Sequence, residues 1–582
     1  MLRFTYFKEK YAVVLLSIAI GILIIAPAAY FRYWDGGYRG IDFFGSGDED
    51  FYLAQIQEIY DGHWFSGNIY LAENKNDSYV QQPLPAMIVA FLGKSLGISA
   101  RDVNLLTKFL FPALLTIIVY LLFSSLTGRK DIAVLMTVFV MLVQATWIFL
   151  NPSAWLPFLL RGEFIGTDHN FISYARPINP QVSSIFFFGY LLCAWKFLFG
   201  QLSGKSEKIY GIASAIILGL SFYIYFFAFS FLSVFNATLF FGFLYSKDWR
   251  QLKKVILISI GALIIAIPYF INVIGMMKTP SYLQLTRRLG MVESRQFIFS
   301  RVWWGVTALF LLFYRGSREV KVFILAFLAT AFLVTNQQLI TGRTLSLPAH
   351  YHWYYIAPMA GAILIYLLFL YFERAVTSWI SRVAMALLLF LFFYAGILYQ
   401  QISFAGQRDY FVSSQRYSPI FSWLNQDLRK ESVIFANEDL SNFIPAYTRH
   451  NVYRGHSDSL VSEERIKHSL YINFFLDGIT KDSSRDFFYN NRDLLGGRIF
   501  GQHYRMKNGC YGCFPDAILD ELILEYQDFF KKDFVSELKK YQVDYVLWDK
   551  EKNPEWRLGR FFNKKIYDQD NLVIYDLSNL RQ

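Results

Sequence analysis

Apolar residues in the first 400 positions run in long blocks separated by short polar joints. The blocks fall near 11–31, 105–127, 131–150, 182–200, 208–224, 226–245, 253–275, 298–314, 320–340, 353–372 and 381–400. Roughly 20 such residues cross the ~30 Å hydrocarbon core as a helix, so the pattern predicts about eleven transmembrane helices. Between the first two blocks the rhythm breaks. Residues 49–60 carry apolar positions at helical spacing behind an acidic start, and 83–96 are apolar but too short to span. Both are predicted to lie along the membrane surface. From about Ser414 the period changes again: 432–436, 543–548 and 572–575 read as strands, and 459–476 and 516–541 as helices. The expected fold is a polytopic α-helical membrane protein, residues 1–400, followed by an extracytoplasmic α/β domain, residues 401–582. No internal repeat and no Gly-rich phosphate loop is apparent.

Loop charge sets the expected orientation. With a cytoplasmic N-terminus, Arg129-Lys130, Lys205 with Lys208, Lys247 with Lys253-Lys254, Arg315 with Arg318 and Lys321, and Arg374 all fall on the cytoplasmic side, the positive-inside pattern. Residues 32–104, the loops near 151–181, 276–297 and 341–352, and the C-terminal region then emerge on the other face. The chain is expected in the cell (inner) membrane of an envelope, with its site outside.

Composition agrees: 54% hydrophobic, 19% aromatic and 17% charged residues exclude a soluble four-domain chain. The net charge of +11 does not indicate nucleic acid. Residues 401–582 hold 25 Lys and Arg against 26 Asp and Glu, so the surplus lies in the membrane half, where it serves topology. Ten of the nineteen acids of that half crowd into 32–104, a loop too long for a passive connector. Three cysteines exclude a disulfide scaffold; Cys510 and Cys513 suit a local disulfide or two free thiols.

That loop carries Asp48-Glu49-x-x-Tyr52, then Gly62-His63-Trp64, then Gln82-Pro83-Leu84. In these motifs the sequence resembles the GT-C class of membrane glycosyltransferases, above all the lipid A aminoarabinose transferase and protein O-mannosyltransferase families. Their first outer loop holds Asp-Glu-x-x-Tyr, a Gly-Asp-Trp-like turn and a Pro-Pro-Leu-like element. The resemblance covers about residues 10–125 in motif and the membrane half in topology. It implies a polyprenyl-phosphate-linked sugar donor, a lipid, glycan or protein acceptor, surrounding membrane lipids, and no cofactor; Asp48-x-Asp50 keeps a divalent metal open. Asp48 matches the first acid of the family motif and is the candidate base, with Glu49 beside it for acceptor binding or tuning. A lysine that precedes the family's proline element is replaced here by Gln82, so phosphate contact is expected from Lys75 or from an arginine elsewhere.

Sugar transfer from a lipid phosphate needs a base at the acceptor, positive charge on the leaving phosphate and little water. Asp50 and Tyr52 extend the acidic motif toward substrate, Tyr52 falling on nearly the same helical face as Asp48. The outer loops supply Arg161, Arg176, Arg287, Arg288, Arg295 and Arg343, whose planar forks suit a phosphate diester. Asp168 and His169, beside Glu163, form a dense polar stretch, and His350 and His352 sit just before a span. Arg449, Arg454 and His456 follow in a turn-rich segment, as acceptor contacts or as loop solvation. Two other classes stay open: a transporter or lipid flippase, disfavoured by nearly charge-free spans, and a non-catalytic envelope assembly protein, in which the acids would be mere helix caps.

Overall fold

The computed structural model describes residues 2–45, 47–143, 157–160, 172–345, 347–455 and 460–577. A helix occupies each of the eleven apolar blocks: α1 (Leu2–Tyr33), α4 (Ala100–Thr127), α5 (Lys130–Val138), α6 (Gln181–Phe199), α7 (Gly204–Ser221), α8 (Phe226–Tyr245), α9 (Trp249–Met277), α11 (Arg301–Phe313), α12 (Arg318–Thr335), α13 (Ala357–Ala375) and α14 (Ser378–Ser414). Seven described stretches are long and apolar enough to cross a membrane. The shortfall from eleven has local causes. α11 has 13 residues, and α7 and α12, at 18 each, spend part of their length on Lys205, Glu207 and Lys208 or on Arg318, Glu319 and Lys321. α5 passes into a π-helical turn at Phe139–Val143. The chain is a multi-pass membrane protein in which α1 packs on α4, α4 on α6, and α7 on α9.

Two short helices fill the first loop. α2 (Glu49–Asp61) begins at Asp48 with Glu49 and Asp50 in its first turn, where carboxylates complement the helix dipole. It stops at Gly62, whose φ of 111° suits glycine and whose N–H reaches the Glu58 and Ile59 carbonyls. α3 (Leu84–Leu96) starts behind Pro83 and packs on α2 through Gly93, where a Cβ would fall 2.1 Å from the Tyr60 hydroxyl. The short helix α10 (Tyr282–Arg288) follows α9.

The C-terminal unit holds a five-stranded sheet in the order β2-β1-β3-β5-β4: β1 (Val433–Phe435), β2 (Asn451–Val452), β3 (Tyr545–Asp549), β4 (Lys565–Gln569) and β5 (Leu572–Asp576). β1 pairs in parallel with β2 and β3, and β5 runs antiparallel to β3 and β4. Around it lie α15 (Ser418–Asp427), α16 (Glu438–Tyr447), α17 (Glu463–Leu476) and shorter helices. The region expected as one helix at 516–541 is two, Asp516–Phe529 and Phe534–Leu538. Cys510 and Cys513 form a disulfide.

The first loop and this unit meet at one end of the bundle. α2 packs on α16, the Val452 N–H donates to the Tyr70 carbonyl at 2.9 Å, and Arg465 pairs with Glu73 at 3.0 Å. The loop's acids are largely compensated: Asp35 by Arg408, Asp42 by Arg32 and Arg101, Asp102 by Arg32, Glu58 by Lys75, and Asp61 by Arg449. At the opposite end, Lys254 pairs with Glu207 at 2.7 Å.

Candidate functional site

Asp48 stands where α2 begins, yet its side chain does not cap the helix. Arg176 instead donates from Nη1 to both carboxylate oxygens, at 3.1 and 2.9 Å. The Asp48 side chain is 48% exposed and that of Arg176 14%, so the carboxylate faces outward and the cation lies on its inner side. Arg176 follows the short 3-10 turn Ser173–Ala175, and its Nε donates to the Asn179 carbonyl, which fixes the plane of the guanidinium.

Aromatic side chains flank the guanidinium. The guanidinium lies 5.4 Å from the Tyr52 ring centroid and 5.9 Å from that of Tyr354, distances at which cation–π attraction operates. Its Nη2 also donates to the Tyr354 hydroxyl at 3.1 Å. Tyr354 belongs to a π-helical turn, His352–Ile356, and His350 sits four residues before it. A one-residue widening of this kind often marks a working site, because it re-aims the side chains around it. The His350 ring lies 5.6 Å from that of Tyr354, and its Nδ1 is 2.9 Å from the Tyr225 hydroxyl. Burial pushes the Tyr52 phenol well above its ordinary range.

Four residues singled out from sequence, Asp48, Tyr52, Arg176 and His350, therefore gather at one place, and Tyr225 and Tyr354 join them. The loop carrying Tyr225 is set by the Pro83-Leu84 element, since the Leu84 N–H donates to the Tyr223 carbonyl at 3.1 Å.

Other candidates lie elsewhere. Glu49 is fully buried, paired with Lys108 of α4 at 2.6 Å, and accepts from the Gly45 N–H at 2.6 Å and from Asn104 at 3.1 Å. Burial raises its carboxyl pKa against the pull of Lys108. It faces the core rather than the Asp48–Arg176 pair and fixes the start of α2. The Asp50 carboxylate accepts the Phe51 N–H at 2.7 Å. Lys75 is held in its buried pair with Glu58 at 2.9 Å, which takes it away from any phosphate. Arg288 is fully buried and donates to the Val461 carbonyl at 2.6 Å, so it fastens α10 to the C-terminal unit, and Arg287 lines a small cleft beside it. Arg343 pairs by a β-bridge with Glu293 beside Arg295. His352, among the described residues, is not hydrogen-bonded to the cluster. Arg161, Glu163, Asp168, His169 and His456 fall outside the described residues.

Fold and site together define a polytopic membrane protein with a half-exposed acid–arginine cluster at the end of the bundle where the first loop meets the α/β unit. No protein-family model and no curated protein matches the chain. Similar solved structures are those of GT-C glycosyltransferases. ArnT from Cupriavidus metallidurans in the apo state aligns over 97% of this chain and 98% of its own, at 12% identity and a TM-score of 0.47. The same protein bound to undecaprenyl phosphate aligns over 77% and 86%, at 14% and 0.45. The oligosaccharyltransferase AglB from Archaeoglobus fulgidus, in complex with an inhibitory peptide and a dolichol-phosphate, aligns over 94% and 70%, at 12% and 0.48.

Proposed function

We propose that this chain is a membrane glycosyltransferase of the GT-C type that moves a sugar from a polyprenyl-phosphate carrier to a hydroxyl on an acceptor at the extracytoplasmic face of the cell membrane. The observation that carries this reading is the pairing of a half-exposed carboxylate, Asp48 of the loop whose motifs resemble that class, with the inward Arg176 of the next outer loop. The basic residues clustered at the other end of the bundle support the sidedness.

In this reading the acceptor hydroxyl enters beside Asp48. Its oxygen attacks the anomeric carbon, its proton passes to the Asp48 carboxylate, and the bond from that carbon to the carrier oxygen breaks with its electrons going to the phosphate. Protonation of Asp48 loosens its hold on Arg176 Nη1, whose N–H groups then serve the growing phosphate charge. One displacement inverts the anomeric centre. Tyr354 and the Asn179 carbonyl keep the guanidinium plane fixed throughout, so little reorganisation is needed. Because Arg176 supplies the positive charge, the reading requires no divalent cation, and chelation with EDTA is expected to leave transfer unchanged.

The test is transfer by the purified full chain in proteoliposomes, with polyprenyl-phosphate monosaccharides compared against nucleotide sugars. Product from the lipid donors alone is expected. Arg176→Lys, which keeps the charge but loses the fork, should lower kcat/KM by about 10- to 100-fold. Movement of a lipid or solute across the bilayer without any transfer would establish the transporter reading instead.

A further inference from the structure

A cleft of ≈ 240 Å³ opens where the first loop meets the C-terminal unit, lined among others by Leu71, Glu438, Asn442, Arg454, Arg465 and Arg498. Among the described residues its charges do not balance. Arg465 is paired with Glu73, donates to the Tyr453 carbonyl at 2.6 Å, and lies 4.4 and 4.1 Å from the ring centroids of Tyr453 and Tyr541. Arg498 is paired with Glu438. Arg454 has, among the described residues, no carboxylate at ion-pair distance and no hydrogen bond, although it is half-buried on the cleft wall.

Burial pulls the Arg454 pKa down to about 10, with Arg498 adding to the effect and Glu438 and Asp477 opposing it. It is still charged at neutral pH. A half-buried cation without a counterion among the described residues is costly to hold, and an arriving anion lowers that cost.

The cleft is also close to Asp48. Gly455 presses on Tyr70 so tightly that a Cβ would fall 2.2 Å from the Tyr70 Cβ, and the Tyr70 ring lies 6.2 Å from that of Phe51 on α2. One aromatic side chain thus separates the wall of this cleft from the helix that starts at Asp48.

We propose that this cleft is an oxyanion subsite, in which the Arg454 fork binds a phosphate or carboxylate carried by a saccharide unit of the acceptor. The words acceptor and saccharide rest on the glycosyltransferase reading; the binding of an anion does not. An acceptor anchored here by a negative group presents a neighbouring hydroxyl toward Asp48, which gives selection by charge beside the reacting centre.

The test uses the full-length protein in detergent and calorimetric titration with four probes: glucose 6-phosphate, glucuronate, inorganic phosphate and glucose. Saturable binding of at least one anionic sugar with Kd below about 1 mM is expected, with glucose not binding. The two anionic sugars distinguish phosphate from carboxylate as the preferred group, and inorganic phosphate binding as tightly as either sugar would overturn the saccharide part of the proposal. Arg454→Gln is expected to weaken binding by at least about tenfold. Gly497→Leu adds bulk at another residue of the lining, where a Cβ meets Tyr511 at an ordinary 3.7 Å, and should do the same. Should Arg454→Gln fail to fold, Gly497→Leu decides. Unchanged affinity in the folded variants, or no binding of any anion, overturns the subsite. Failure of sugar transfer with every donor removes the proposed function and leaves the binding result standing, whereas transfer without anion binding removes only the subsite.

Discussion

Asp48→Asn is expected to cut sugar transfer by about 10²- to 10⁴-fold while leaving the unfolding midpoint of the detergent-solubilised protein nearly unchanged. Asparagine keeps the shape of the side chain and one oxygen for Arg176, but it cannot take a proton from an attacking hydroxyl. The stability term is small because the pair is half open to water, and such pairs contribute about 0–1 kcal/mol. Single-turnover transfer with matched amounts of folded wild type and variant is the direct measurement. Equal rates would remove Asp48 as the base.

The neighbouring acid should behave in the opposite way. Glu49→Gln leaves the Lys108 ammonium buried without its counterion, since both side chains are almost fully covered, 0% and 4% exposed. Removing one partner of such a pair costs about 3–5 kcal/mol. The double variant with Lys108→Met removes the stranded charge as well and is expected to recover most of that loss, a coupling that a double-mutant cycle on denaturant midpoints reads directly. A Glu49 that faced the acceptor would give the reverse signature, a stable protein without activity. These two adjacent acids are therefore expected to separate chemistry from architecture, substitution at one position acting on the rate and at the next on the fold.

The helical blocks were legible because apolar length is a one-dimensional property, and a helix stands at each of them. The Asp48–Tyr52 spacing, Arg176 beside its proline and His350 before a span were legible as chemistry, but their convergence depends on how three loops fold over the bundle. Lys108 was hidden inside an apolar block, so nothing local announced that Glu49 had a partner there. Tyr225 and Tyr354 were invisible for another reason: with 39 tyrosines and 59 phenylalanines in the chain, an aromatic position carries little information. Along the sequence the acid surplus of the first loop is only a local excess of negative charge. In the structure it is mostly a set of separate ion pairs, because short-range pairing, unlike net charge, depends on which arginine each acid reaches. β2 has two residues and is too short to give a period, whereas β4 had a usable signal: Asp570-Asn571, at φ of 50° and 63°, forms the two-residue turn that joins it to β5.

The hydrogen bond from Val452 to the Tyr70 carbonyl, together with the Arg465–Glu73 pair, has a consequence for biogenesis. Tyr70 is made early, just after the first apolar helix, and its partner strand is made nearly four hundred residues later. Insertion of the helices can proceed block by block as they are synthesised, but the first loop has no edge to bind until the C-terminal unit has folded. A nascent chain that has reached Ser414 thus already owns every apolar block and both members of the Asp48–Arg176 pair, and still lacks the surface that holds the loop of Asp48 in place. The order of synthesis keeps this end of the molecule unfinished until the last third of the chain has been delivered to the same side of the membrane.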